Sequence, residues 1–167
     1  MASVYERELK EILQGDERVI RRIAQNLDAE IRWNYLKAIE KPFIVVRAAG
    51  SFGIDLIAIR GDISFPIEVK SSSVNVIRFS KSKEMQRQLE SFRQECSKAQ
   101  VSPIYAFRLK NAKDDPWRVF TLEIEGLQGR IKVLNNRIPK LALTASNNYI
   151  MRWKEGMPLN VFLAYLC

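Results

Sequence analysis

Two β-rich segments, residues 54–59 and 63–70, are joined by the short turn Arg60-Gly61-Asp62. Runs of β-branched and aromatic residues on both sides of such a turn predict a β-hairpin. A third β-rich run, residues 43–48, precedes the hairpin, and the small-residue turn 49–53 separates the two. The sequence therefore predicts three consecutive β-strands within residues 43–70.

Helical patterns and further strands surround this region. Apolar residues recurring every three or four positions predict helices over residues 1–14, 16–40 and 82–99, with Ser82 as an N-cap. Further strands are predicted over residues 104–109, 117–124 and 149–153, and a short helix follows Pro158. This order predicts an α/β fold, a central mixed β-sheet flanked by helices.

The composition removes several kinds of catalytic site. The 167 residues include no histidine, which excludes Ser-His-Asp and Cys-His nucleophile pairs and histidine-ligated zinc. The two cysteines, Cys96 and Cys167, form no Cys-x-x-Cys pair, so a zinc site is not expected. Hydrolytic chemistry in this chain has to use carboxylates, lysine and bound metal.

The charge is unevenly distributed. Residues 1–70 contain eleven basic and eleven acidic side chains, so residues 71–167 carry the whole net charge of +8. A basic half of this kind favours a polyanionic partner such as nucleic acid, and solubility alone is the simpler alternative. No leader sequence or membrane span is expected, and the predicted location is the cytoplasm.

The hairpin contains a group of residues that suits phosphodiester hydrolysis. Asp55 lies at the start of one arm, and Glu68 and Lys70 lie at the end of the other, where an antiparallel hairpin brings them together. Glu68 and Lys70 are two residues apart and share a sheet face, and the Val69 carbonyl could also reach a metal. Two carboxylates are hard oxygen ligands for Mg²⁺, and a neighbouring lysine can serve the attacking water.

This constellation, Asp-hairpin-Glu-x-Lys, resembles the core of the PD-(D/E)XK nuclease superfamily, with Ile54-Asp55 in place of the usual Pro-Asp. Within that superfamily, the chain is most similar to archaeal Holliday junction resolvases. The resemblance covers about residues 1–14 and 43–122. The matching segments are Glu6-Arg7-Glu8-Leu9, Val45-Val46-Arg47-Ala48-Ala49-Gly50-Ser51, Asp55-Leu56-Ile57-Ala58, Ile67-Glu68-Val69-Lys70-Ser71-Ser72 and Trp117-Arg118-Val119-Phe120.

The resemblance implies a restriction-endonuclease-like core and a set of residue roles. Asp55 and Glu68 match the metal-binding carboxylates, and Lys70 matches the catalytic lysine. Glu6 matches the helix carboxylate that completes the metal and catalytic site, and Ser51 matches a catalytic serine near the scissile phosphate. The basic positions that contact DNA are Arg7 and Arg47.

Other candidate DNA contacts come from the residues alone. Ser71 and Ser72 could donate hydrogen bonds to phosphate, although a flexible loop is the default for such a stretch. Three basic residues lie at the start of the helix predicted over residues 82–99. They are Lys81, Lys83 and Arg87. This group is compatible with a DNA-facing edge or with an ordinary solvated helix face.

The chain departs from the resolvase pattern in two places. A helical insertion of residues 15–40 separates the first helix from the first strand, which makes Glu30 a rival of Glu6 as the helix carboxylate. A C-terminal extension, residues 125–167, follows the last matching strand and is assigned to extra structure or to an altered dimer face. Residues 1–167 are expected to form a single nuclease domain.

The expected function is a Mg²⁺-dependent, structure-selective DNA endonuclease, with Mn²⁺ able to substitute. It would resolve four-way (Holliday) junctions by paired nicks in DNA recombination and repair, working as a homodimer whose symmetry mirrors that of the junction. One alternative is a repair or restriction-type nuclease of the same superfamily. A second alternative is a non-catalytic DNA-binding protein with this fold.

Overall fold

The computed structural model describes residues 3–167, which form a six-stranded central sheet, a three-stranded second sheet and six α-helices within that range. The helices are α1 (Val4–Leu13), α2 (Glu17–Ala24), α3 (Ala29–Glu40), α4 (Lys83–Ala99), α5 (Gly129–Arg137) and α6 (Leu159–Leu166). The strands are β1 (Ile44–Arg47), β2 (Leu56–Ile59), β3 (Ser64–Ser72), β4 (Val76–Arg78), β5 (Ile104–Leu109), β6 (Trp117–Phe120), β7 (Ala142–Leu143), β8 (Tyr149–Arg152) and β9 (Met157–Pro158).

The central sheet has the strand order β1-β2-β3-β5-β6-β9. Its β3–β5 pair is parallel and the other neighbouring strands are antiparallel, so the sheet is mixed. The crossover between the parallel strands contains α4, as a connection of this kind requires. The predicted hairpin is confirmed, with Leu56 opposite Ile67 and Ile59 opposite Ser64.

Helices cover both faces of the central sheet. Alternate residues of β3, including Phe65 and Ile67, face a core shared with α1, α2, α3 and α6. Tyr105 and Phe107 of β5 face a second core, formed with α4 and the small β4-β8-β7 sheet. The predicted class, a central mixed sheet flanked by helices, is confirmed.

The helical region predicted over residues 16–40 is two helices and not one. The helix α2 ends at Ala24 and α3 begins at Ala29, and the chain turns between them through Asn26, Leu27 and Asp28. Asparagine and aspartate favour such turns because their short polar side chains compete for backbone hydrogen bonds. Leu27 remains buried, so the apolar periodicity continues across a break that the periodicity alone does not reveal.

The C-terminal part of the chain contains more structure than its pattern predicts. Helix α5 and strands β7 and β9 were not expected there, nor was β4 in the middle of the chain, and the predicted strand 117–124 ends at Phe120. The strands β4 and β7 are three and two residues long, too short to show an alternating pattern. The predicted strand 149–153 is β8, which lies in the small sheet, and the final helix is α6.

None of the helices within residues 3–167 is both long enough and apolar enough to cross a bilayer. The longest, α4, has 17 residues and carries charged side chains along its length.

Candidate active site

Asp55 is held in place at the open end of the β2–β3 hairpin. Its backbone N–H donates to the Ile67 carbonyl at 2.9 Å, and its own carbonyl accepts from the Ala48 N–H at 2.8 Å. The carboxylate oxygen Oδ2 accepts a hydrogen bond from the Val69 N–H at 2.7 Å. This bond places Asp55 beside the Glu68–Lys70 segment and leaves its second carboxylate oxygen for a ligand.

Glu68 and Lys70 project from the same face of β3, opposite Tyr105 and Phe107 of β5. Lys70 Nζ lies 2.7 Å from Glu68 Oε1, so the two side chains form an ion pair. Glu68 is only 5% exposed, and its second oxygen, Oε2, has no hydrogen-bond partner within residues 3–167. A buried carboxylate oxygen without a partner is costly, which makes this position a candidate ligand site.

Both carboxylates of the hairpin are disfavoured in their charged forms. Burial raises the pKa of Asp55, the charge of Glu6 adds to the increase, and the Val69 hydrogen bond opposes it. Burial likewise raises the pKa of Glu68, and the neighbouring Lys70 opposes the increase. Raised pKa values of two adjacent carboxylates are typical of a site that binds a cation or transfers protons.

The loop that leads into Asp55 has a strained backbone. Ala49 and Phe52 have φ values of 53° and 57°, a region that residues other than glycine seldom adopt. Gly53 has φ of 75°, and a Cβ at this position would lie 3.0 Å from the Gln88 carbonyl oxygen of α4. The loop, which includes Ser51, is therefore fitted tightly between β1 and α4, and strain of this kind is frequent beside functional residues.

Helix α1 carries Glu6, whose charge contributes to the raised pKa of Asp55. Ser3 caps this helix by accepting a hydrogen bond from the Glu6 N–H at 3.0 Å. Glu8 Oε1 accepts from Arg108 Nε at 2.9 Å and from Trp117 Nε1 at 2.8 Å, which fastens the helix to β5 and β6. No local sequence pattern reveals this anchor, because about 100 residues separate its partners.

The two candidates for the helix carboxylate occupy different surroundings. The charge of Glu6 acts on Asp55 and raises its pKa. Glu30 is exposed at the start of α3, a helix that packs mainly on α2 and α6. Of the two, Glu6 is the one whose charge acts on Asp55, but it does not join Asp55 and Glu68 in a three-residue group that could hold a metal ion within residues 3–167.

The donor set at the hairpin fits a Mg²⁺ ion of the kind that is bound partly by the protein and partly by the substrate. Within the described range, no three acidic, cysteine or histidine side chains form a group that could hold a metal ion by themselves. Mg²⁺ commonly uses one or two carboxylates and takes its other ligands from water and phosphate. Asp55 and Glu68 supply such a pair, and the unpartnered Oε2 of Glu68 is consistent with it.

The candidate DNA-contacting residues lie in three places. Arg7 is exposed on α1, and Arg47 is exposed at the end of β1, next to the Ala48–Asp55 hydrogen bond. Ser71 and Ser72 extend β3 past Lys70, so the predicted loop there is wrong; Ser72 Oγ accepts from the Val74 N–H. The third group lies at the start of α4 and comprises Lys81, Lys83 and Arg87, all exposed.

Among Lys81, Lys83 and Arg87, the charge of Arg87 is offset by a neighbouring carboxylate. Arg87 is paired with Glu84 on the same helix, which lowers its value for phosphate binding. Helix α4 also packs against the loop of residues 51–53, so its N-terminal half lies near the loop that contains Ser51. Ser51 is exposed there, four residues before Asp55.

Comparisons with known proteins give a likeness in structure and none in sequence. No family model and no curated protein sequence matches the chain. Among solved structures, the chain is similar to the Holliday junction resolvase Hjc of the archaeal hyperthermophile Archaeoglobus fulgidus, with 18% identity and a TM-score of 0.49. The match covers 73% of this chain and 82% of that one. At this level of similarity, a function has to be argued from the site itself.

Proposed function

We propose that this protein is a metal-dependent DNA endonuclease that cuts four-way junctions during DNA recombination and repair. The observation that carries the proposal is the hairpin site, in which the carboxylates of Asp55 and Glu68 lie beside the ammonium of Lys70. The basic balance of residues 71–167 supports a nucleic acid as the substrate. The preference for a four-way junction rests on the resemblance of the motif residues to archaeal Holliday junction resolvases.

Asp55, Glu68 and Lys70 have different roles in the proposed phosphodiester hydrolysis. Asp55 and Glu68 would hold Mg²⁺ or Mn²⁺, which when bound polarises the phosphate and acidifies a water ligand. Lys70, which is partly exposed, offsets the negative charge that develops on the phosphate and orients the attacking water. The attack breaks the bond between phosphorus and O3′, leaving a 5′-phosphate and a 3′-hydroxyl.

The proposal is tested with an end-labelled immobile four-way junction and a linear duplex of the same sequence, each incubated with Mg²⁺, Mn²⁺ or EDTA. We expect paired, symmetric nicks in the junction only, and no nicks in EDTA. Lys70→Met should lose cleavage while keeping junction binding, because it removes the charge and preserves the aliphatic stem.

The other outcomes separate the alternatives. Equal cutting of junction and duplex would identify a general or sequence-directed nuclease instead. Binding of the junction without cutting in any metal would identify a non-catalytic DNA-binding protein, and Lys70→Met would then behave like the wild type. Flap and mismatched substrates, tested in parallel, would detect a repair nuclease.

An exposed apolar strip supports the further proposal that the protein acts as a homodimer. Ile44 and Val46 of the edge strand β1, and Ile59 of β2, are 69%, 43% and 43% exposed. Ile44 lies directly opposite Ile59 in the sheet, and Val46 lies opposite Ile57, so these side chains share one face. Such a strip on an edge strand is a typical site for pairing with a second copy of the same chain.

The dimer proposal predicts a mass twice that of the 19.3 kDa chain in size-exclusion chromatography with light scattering. A double variant, Ile44→Lys with Ile59→Lys, should be monomeric because four like charges would meet across a two-fold interface. Val74→Lys is the matched control, since Val74 is 62% exposed outside the strip. A monomeric wild-type protein, or a double variant that stays dimeric, would contradict the proposal.

A further inference from the structure

A tyrosine hydroxyl lies next to the buried carboxylate of the proposed site. Tyr105 of β5 is directly opposite Glu68 of β3 in the parallel register, so the two side chains share one face of the sheet. In the described part of the chain, the buried side-chain polar atoms that lack a hydrogen-bond partner are Glu68 Oε2 and the Tyr105 hydroxyl. Because unpartnered buried polar groups are uncommon in folded proteins, two in register on neighbouring strands call for an explanation.

The surroundings of Tyr105 fix the direction of its hydroxyl. Phe79 and Phe92 pack edge-on against its ring, with centroid separations of 5.5 Å and 5.4 Å. The residue is 0% exposed, and these two rings pack against it in the core on the α4 side of the sheet. The register places Glu68 on that same side of the sheet.

The Tyr105 hydroxyl can act as a donor toward Glu68. A tyrosine hydroxyl carries a proton at neutral pH and can donate it in a hydrogen bond, whereas an ionised carboxylate can only accept. Since Oε1 already accepts from Lys70, the remaining acceptor is Oε2.

We propose that Tyr105 is a positioning residue for the Glu68 carboxylate: its hydroxyl, which has no partner within residues 3–167, would donate a hydrogen bond to the equally unpartnered Oε2 once a cation is bound at the site. The inference rests on the proposed function, because it assigns Tyr105 to the same cation site. With Lys70 on Oε1 and Tyr105 on Oε2, the carboxylate is held in one orientation, and a second lone pair of Oε2 is left for the cation. Groups that orient a metal-binding carboxylate in this way typically contribute about 10- to 100-fold to metal affinity.

The test is Tyr105→Phe, which removes one oxygen atom and preserves the ring. Mn²⁺ binding to the protein without DNA is measured by electron paramagnetic resonance, and junction cleavage is measured as a function of Mg²⁺ concentration. We expect Mn²⁺ affinity to fall by about 10-fold or more, and cleavage to recover at high Mg²⁺. Junction binding in EDTA should match that of the wild type.

Two control variants separate positioning from packing. Tyr165→Phe removes a hydroxyl from a residue that is 40% exposed on α6, and it should leave Mn²⁺ affinity unchanged. Phe92→Leu disturbs the packing around Tyr105 but keeps the hydroxyl, so it should lower Tm more than it lowers Mn²⁺ affinity. If Phe92→Leu and Tyr105→Phe weakened Mn²⁺ binding equally, the effect would be one of packing and the proposal would be overturned.

The result for the wild-type protein separates a failure of the positioning role of Tyr105 from a failure of the proposed function. If wild-type protein binds Mn²⁺ and Tyr105→Phe binds it equally well, the positioning role is wrong while the cation site stands. If wild-type protein neither binds Mn²⁺ nor cuts any DNA substrate, the proposed function fails and the role of Tyr105 fails with it.

Discussion

Replacing Asp55 with asparagine is expected to reduce junction cleavage by about 10³-fold or more while leaving junction binding intact. Asparagine retains a carbonyl oxygen that can accept the hydrogen bond from the Val69 N–H, so the local backbone should not move. The lost negative charge removes a cation ligand and also some repulsion toward phosphate, so junction affinity in EDTA should stay equal or rise. Gel-based cleavage rates and mobility-shift titrations measure the two quantities.

The variants Glu30→Gln and Glu6→Gln test which of the two helix carboxylates contributes to cleavage. Glu30 is exposed on α3, and its variant should cut at the wild-type rate. Glu6 is the carboxylate expected to complete the site from helix α1, so its variant should cut more slowly. Normal cleavage by Asp55→Asn would show that the site has been assigned to the wrong residues, whereas slow cleavage by Glu30→Gln alone would exchange the roles of the two helix carboxylates.

The same Asp55→Asn variant should be more stable than the wild type at neutral pH. Burial raises the pKa of Asp55, so the folded state binds more protons than the unfolded state, and stability falls as the pH rises above the ordinary pKa of an aspartate. Relief of this penalty should raise Tm at pH 7. The difference should disappear below about pH 4, where the carboxyl is protonated in both states. Calorimetric scans from pH 3 to pH 8 would test both the sign and the window.

Replacing Asp115 with alanine is expected to cause a large loss of stability. This buried carboxylate accepts four hydrogen bonds, from the Tyr35 hydroxyl at 2.7 Å, the Trp117 N–H at 3.2 Å, and the backbone and side-chain N–H groups of Asn160 at 2.9 and 2.8 Å. Its removal leaves buried donors unpaired and opens a cavity. A cost of about 3 kcal/mol or more is typical of such a change, equivalent to a decrease in Tm of roughly 6–12 °C.

Asp114→Ala is the matched control, because its exposed side chain lies one residue away and should cost less than about 0.5 kcal/mol. Urea unfolding curves would give both values. Equal stabilities for the two variants would show that the Asp115 network contributes little. Unfolding of Asp115→Ala in two separate transitions would show that the network couples parts of the chain that otherwise melt independently.

The Asp115 network also explains how the inserted and C-terminal segments fit this fold. Tyr35 belongs to α3, in the insertion, and Asn160 belongs to α6, in the C-terminal extension. The two helices pack against each other over the core, and Asn34 donates a second link to Asn160 at 3.1 Å. Neither segment has a role that can be assigned from the sequence, because the contacts between them join residues more than 100 positions apart.

The parts of the site that follow from local geometry were predicted from the sequence. A three-residue turn between two β-rich runs determines that Asp55 lies next to Glu68, and a spacing of two places Lys70 on the same face. The sequence does not reveal the position of Tyr105, because it lies opposite Glu68 only through the register of the parallel β3–β5 pair. No turn joins these two strands and determines that register. The same limit applies to Glu8, whose partners Arg108 and Trp117 lie on distant strands.

The mixed arrangement of the central sheet also has a consequence for the order of folding. Asp55 and Glu68 are joined by a local hairpin, whereas Tyr105 reaches Glu68 only after the chain has crossed over through α4 and closed a loop of more than thirty residues. Long loop closures are slow because their entropy is lost before any contact compensates for it. The two carboxylates should therefore approach each other early in folding, and the hydroxyl that orients one of them should arrive with the transition that completes the sheet.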